Sequence, residues 1–162
     1  HQLYVQAHVL EALAALRANR LDAADTHVTQ GLDWPEHLGQ GRPYVPEERL
    51  LQFLRADIAR RQGRAAAERD ALGAVVAATT PSGALTATDL LAIPALQSLG
   101  RVSEVAPLVA AADRAGTDPG VAALAHALET RTLPADLRTR FPRLFADLDA
   151  ELILRAIETA RR

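Results

Sequence analysis

Over residues 2–18 the apolar side chains Val9, Leu13 and Leu16, flanked by Leu3, Ala7, Leu10 and Ala14, return at three- and four-residue steps. That period is one face of an amphipathic helix. Asn19 and Arg20 interrupt it, and a shorter helical run follows over 21–30, with Gly31 in the position where helices usually stop. Two runs so closely joined predict a helical hairpin. The pattern then resumes at Pro46, whose fixed backbone angle suits a first helical turn, with Glu47 and Glu48 at the positive end of the helix. Leu50, Leu51, Phe53, Leu54 and Ile58 form its stripe, Gly63 closes it, and residues 64–78 supply its partner with Leu72, Val75 and Val76 inward.

Beyond the turn at 80–83 a fifth helix is expected from residue 84 or 86 to 99, kinked at Pro94, which lacks a backbone donor and crowds the preceding turn. Gly100 ends that run and Ser103 is the expected cap of a sixth helix, with Pro107 in its first turn. Asp118, Pro119 and Gly120 separate it from a seventh over 121–129. The chain restarts at Pro134 and again at Pro142. From there Leu144, Phe145, Leu148, Leu152, Ile153 and Ile157 give one long final helix, expected to cap the open end of the stack.

Three junctions share a form: Asn19-Arg20-Leu21, Gly63-Arg64-Ala65 and Gly100-Arg101-Val102 each join a turn residue, an arginine and the first apolar or small residue of a new run. Self-similarity of this kind points to a repeat architecture. The chain resembles the tetratricopeptide repeat, a helical hairpin of about 34 residues with a small residue inside its first helix, a Gly-containing turn, an Ala early in its second helix and a Pro after it. Ala12, Asn19, Ala24 and Pro35 match in the first unit, Ala56, Gly63 and Pro81 in the second, and Gly100 and Pro119 in the third. Departures are the longer spacings, Glu68 at an Ala position and Ile93 at a small one. The expected fold is therefore all-α: one domain over 1–162, built as a tetratricopeptide-like α-solenoid of tandem antiparallel hairpins (units near 3–31, 46–80, 84–116 and 118–162) with a C-terminal capping helix. A narrower resemblance lies in residues 35–42, Pro-Glu-His-Leu-Gly-Gln-Gly-Arg, which are similar to a Pro-Glu-Asn-Leu-Gly-x-Gly turn. That turn occurs in the repeat tails of large bacterial multidomain proteins that also carry a carbohydrate-related domain of unknown function.

Composition agrees with helices. Ala (34) and Leu (25) far outnumber Val (10) and Ile (4), and strands favour the β-branched and aromatic residues that are scarce here. All 18 basic residues are arginine, against 20 acids, and each half of the chain carries 9 arginines and 10 acids. No basic arm exists to favour nucleic acid or an anionic membrane, and no apolar run approaches the length of a membrane span. Without cysteine there is no disulfide or thiolate chemistry. A cytoplasmic setting fits. The absence of methionine makes the sequence read as a piece of a longer chain.

Signatures of catalysis are sparse. Gly39 and Gly41 have no preceding strand and no following lysine, so they do not make a phosphate loop. His8 and Glu11 share a helix face, but a metal needs further ligands nearby; no metal or cofactor is expected. Ser82, Ser98 and Ser103 sit in no nucleophile context. What remains suggests a non-enzymatic module that binds a protein or peptide, or packs against another domain of its parent chain. Projecting repeat geometry onto the first helix of each unit gives a candidate groove of Gln6, Arg17, Leu50, Phe53, Asp57, Arg60, Arg61 and Gln97, in which arginines could hold carboxylates. The loop residues Trp34, His37, Arg42 and Tyr44 form a second candidate, either as interface anchors or as a pin across a repeat seam. Two rival readings are an accessory part of a carbohydrate-active enzyme and a helical DNA binder using Arg55, Arg60, Arg61, Arg64 and Arg69. If Trp34 pins a seam, Trp34→Ala lowers stability in thermal denaturation by about 3 kcal/mol, as buried aromatic truncations do; a surface anchor leaves the melting temperature in place.

Overall fold

The computed structural model describes residues 2–33, 46–80, 83–114 and 116–161, and among these every regular element is a helix. The helices are α1 (Gln2–Arg17), α2 (Leu21–Leu32), α3 (Arg49–Arg61), α4 (Ala65–Ala77), α5 (Ala92–Ser98), α6 (Val105–Ala112), α7 (Pro119–Glu129), α8 (Leu137–Arg140), α9 (Pro142–Phe145) and α10 (Leu148–Ala160). Short 3-10 turns, Thr88–Leu91 and Val102–Glu104, lead into α5 and α6. No helix among the described residues is long and apolar enough to cross a membrane.

One backbone device ends α1, α3, α5 and α7. Asn19, Gly63, Gly100 and Arg131 each adopt a left-handed conformation, with φ of 53°, 71°, 74° and 57°. The next residue then donates its N–H to a carbonyl five residues back: Arg20 to Ala15 and Arg64 to Ala59 at 2.8 Å, Arg101 to Leu96 and Thr132 to Ala127 at 2.9 Å. The left-handed residue itself bonds the carbonyl three back, so carbonyls left orphaned by the helix end are satisfied twice over. In the first three cases the arginine that follows opens the next helix at φ near −90° (−92°, −89° and −90°). The fourth ending has no glycine or asparagine to announce it.

These endings fold the chain into successive hairpins, α1 on α2 and α3 on α4. The second helix of each rests on the first helix of the next, α2 on α3 and α4 on α5, and α6 on α7. Gly31 is where the first of these layers closes. It does not terminate α2, which runs on to Leu32. Instead a Cβ at that position would stand 2.9 Å from Leu51 Cδ2, so the missing side chain lets α3 approach. Gly120 plays the same part between α7 and the 141–144 segment, where an added Cβ would meet Leu144 Cδ2 at 2.9 Å and Phe141 Cβ at 3.0 Å. A single apolar cluster results, with Leu13, Leu16, Leu54, Ile58, Leu91, Ile93, Leu96, Leu124 and Leu152 among its wholly buried members.

Several boundaries differ from expectation for local reasons. The third helix starts at Arg49 rather than Pro46, because the Glu47 carboxylate accepts the Arg49 N–H from just outside it. The expected single run is divided before Pro94: the 3-10 turn Thr88–Leu91 passes into α5 at Ala92, so the proline is the third residue of α5 and the change of helix type comes just ahead of it. Ser103 lies inside a 3-10 turn and caps no helix. Asp118 does cap α7, accepting the Gly120 N–H at 2.7 Å, with Pro119 as the first helical residue rather than a separator. The long final helix is broken at Asp147, whose carboxylate takes the N–H groups of Asp149 and Ala150 and starts α10 afresh.

The largest difference concerns α10 itself. It does not close an end of the stack. It lies against α1, α3 and the turn before α5, that is, against the leading segment of each of the first three units, and no residue from 149 to 160 is exposed. Leu152, Ile153, Leu154 and Ile157 are each 1% exposed, and burying one such side chain contributes about 2 kcal/mol.

Left-handed positions make opposite demands at two junctions. No atom lies within 4 Å of a Cβ added at Gly63, so Gly63→Ala meets only backbone strain and is expected to lower stability by about 1 kcal/mol. Arg131→Gly relieves the same strain and should raise it by up to about 1 kcal/mol; midpoints of urea unfolding measure both.

Candidate functional site

Where α3, α5 and α10 converge, the surface opens into a cleft of about 480 Å³. Phe53, Ala56, Asp57 and Arg60 come to it from α3, Glu68 and Leu72 from α4, Pro94, Gln97 and Ser98 from α5, and Ile157, Ala160 and Arg161 from the end of α10; Arg131 completes the rim. Half of that lining is apolar and half can donate or accept hydrogen bonds, a mixture suited to a partially dehydrated ligand.

Asp57 anchors one wall. Its side chain is 2% exposed and lies 2.5 Å from Arg60 Nη2. Arg61 Nε stands 3.0 Å from the other carboxylate oxygen, near enough for charge pairing although its N–H is not directed there, and both atoms are buried without a hydrogen bond. The two guanidiniums reach onward. Arg61 donates to the carbonyls of Leu16 at 3.1 Å and Thr159 at 2.8 Å, and Arg60 to that of Ala160 at 3.1 Å. Two cations thus sit among the carbonyl ends of α1, α3 and α10, where helix dipoles are negative. Gln97 does a neutral version of the same work, its amide donating to the carbonyls of Leu128 and Glu129 at the end of α7 (2.9 and 3.2 Å).

The opposite rim is positive. Arg161 donates to the Arg131 carbonyl at 3.2 Å, and burial together with the Arg131 charge pushes the Arg161 guanidinium below its ordinary value. No ion pair to either of these arginines is found among the described residues.

Of the eight groove residues read from the sequence, Phe53, Asp57, Arg60 and Gln97 meet in this cleft, and Arg61 lies behind it between α1 and α10. Gln6 and Leu50 belong elsewhere, lining a second cavity of about 270 Å³ with Gly31, Leu51, Asp149 and Ile153; there Gln6 donates to Asp149 at 2.8 Å. Arg17 is exposed at the end of α1 and lines neither cavity. Trp34, His37, Arg42 and Tyr44 lie outside the described residues. Sequence reasoning missed Arg131 and Arg161, because the fourth helix ending carries no turn residue and the last helix was expected at the end of the stack.

Away from the cleft, His8 and His27 face one another across the first hairpin with Nδ1 atoms 3.3 Å apart, and the Tyr4 ring meets His8 edge-on. Burial and the neighbouring His27 hold the His8 imidazole below its usual value. No cluster of three metal-ligating side chains occurs among the described residues.

Two ion networks fix the elements that frame the cleft. Arg49 bridges Glu47 and Asp89, the latter at 2.6 Å, tying the start of α3 to the turn before α5. Arg138 of α8 grips Glu151 and Glu158 of α10 at 2.9 and 2.8 Å, and Arg155 adds a second contact to Glu151 at 2.7 Å. Burial pushes the carboxyl groups of Asp89 and Glu151 up, but the Thr86 donors and Arg49 in one case, and Arg138 and Arg155 in the other, outweigh it and leave both below their ordinary values. A carboxylate depressed by folding stabilises above its unfolded pKa and loses that contribution as pH falls through the folded one. Urea midpoints are therefore expected to hold from neutrality to about pH 5 and drop below about pH 4, with a shallower drop in Glu151→Gln.

Comparison of the chain with protein-family models, with curated proteins and with solved structures finds no match.

Proposed function

We propose that this chain is a non-catalytic helical-repeat module of the tetratricopeptide-like kind that holds a protein partner, or another domain of its parent chain, in the cleft between α3, α5 and α10. The observation that carries this reading is the fourfold recurrence of one helix ending, together with the stacking of each hairpin's second helix on the following first helix. Units of that kind leave the first helices sharing a common side. Most of that side is taken by α10. One opening left there is the cleft, whose wall of Phe53, Leu72 and Ile157 beside the guanidiniums of Arg60, Arg131 and Arg161 has the aromatic-and-arginine character of interface centres. Mechanism in this reading is burial of a partner's apolar residue, with the arginines setting its orientation.

A photo-crosslinking residue in place of Ser98, exposed and in the cleft, should give a discrete adduct identifiable by mass spectrometry in extracts of cells expressing the protein. The same residue in place of Asp70, exposed on α4 and outside the cleft, should not. Equal labelling from both positions, or none from Ser98, counts against the proposal.

A further inference from the structure

Several helices end beside the cleft, and donors from within the protein reach their carbonyls. Leu16 and Thr159 accept from Arg61, Ala160 from Arg60, Leu128 and Glu129 from the Gln97 amide, and Arg131 from Arg161. The negative ends of α1, α7 and α10 are thereby answered internally. Asp57 is answered as well, by Arg60 at 2.5 Å. The charge that stays unanswered is positive. No carboxylate among the described residues pairs with Arg131 or Arg161, and the charge that bears on the partly buried Arg161 guanidinium is the like charge of Arg131. Glu68, the other acid of the lining, stands on the α4 wall and pairs with neither. The two arginines are also placed with respect to each other. Arg131 takes its position from a left-handed turn at φ 57°, and Arg161 is tied to that turn by its 3.2 Å bond to the Arg131 carbonyl.

Resting on the reading of the cleft as a partner site, we propose that the partner is held there through a phosphorylated residue, its phosphate on Arg131 and Arg161 and a neighbouring apolar side chain on Phe53, Leu72 and Ile157. Charge complementarity selects this ligand. A carboxylate brings one charge to two adjacent cations. A phosphate monoester brings a charge of about −1.5 to −2 at neutral pH, with three acceptor oxygens that two guanidinium forks can share. Binding in the cleft would then be conditional, present only after the partner has been modified.

The probe is a fluorescein-labelled heptapeptide, Ala-Leu-Ala-phosphoserine-Ala-Leu-Ala, titrated with the full chain and read by anisotropy. It should bind at least about ten-fold tighter than the same peptide with serine. Affinity should be about four-fold higher at pH 7.5 than at pH 5.5, because the phosphate takes up a proton near pH 6; a glutamate peptide should bind more weakly and show no such step. Arg131→Gln combined with Arg161→Gln should weaken phosphopeptide binding by about ten-fold or more and leave the melting temperature in place, since both residues are exposed. Arg17→Gln, exposed and outside the cleft, should bind as the parent does. Equal affinity for the serine peptide, a flat pH dependence, or indifference to the double variant overturns the proposal. So does displacement by inorganic phosphate as readily as by unlabelled phosphopeptide, since the site would then serve a free anion. Phosphatase treatment of the extract separates this inference from the reading beneath it. The adduct from position 98 should vanish; an adduct that survives overturns the phosphate and leaves the partner cleft standing, whereas no adduct before treatment sinks both.

Discussion

A helix with most of its length covered must find partners for the polar groups it carries inward, and α10 is such a helix from Asp149 to Ala160. Its apolar residues settle its depth, but its charges settle its place. Asp149 is met by Gln2 and Gln6 from α1, Glu151 and Glu158 by Arg138, and the carbonyls of Thr159 and Ala160 by Arg61 and Arg60. Each contact would be weak on a surface. Where they are half-buried, as at Glu151 and at the Arg61–Thr159 contact, an unpartnered charge is more expensive, and together they tie the helix to α1, α3 and α8. Without α10 the apolar residues of α1, α3 and the turn before α5 that it covers would face water.

The cleft follows from this insertion. Because α10 ends level with the last turn of α3, its final residues and the Arg131 turn meet beside Phe53 and Asp57. Three arginines come near each other there for different reasons: Arg60 is neutralised in part by Asp57, Arg161 is the continuation of a buried helix, and Arg131 holds a strained turn.

Most helices could be read from the apolar period, since Val9, Leu13 and Leu16 or Leu51, Leu54 and Ile58 advertise a face directly. The three junctions at Asn19, Gly63 and Gly100 were readable too, because left-handed backbone selects those residue types. Arg131 broke that link between residue and conformation and hid the fourth ending. Half of the candidate groove residues came together because α3 and α5 both border the end of α10. The others went astray over α10: nothing in the sequence of an amphipathic final helix distinguishes lying across an end from lying along a trough. Charges on both flanks, Asp149 with Glu151 and Arg155 with Glu158, hinted at neighbours all round, but the identity of those neighbours is a long-range property.

The leading helical segments shorten along the chain, from 16 residues in α1 to 13 in α3, and the third, the 3-10 turn Thr88–Leu91 running into α5, has only 7 residues in α-helix. Such a taper gives the molecule a polarity. Each leading segment therefore offers a shorter edge than the one before, and a helix laid along all three is held over most of α1 but only along the tip of the third.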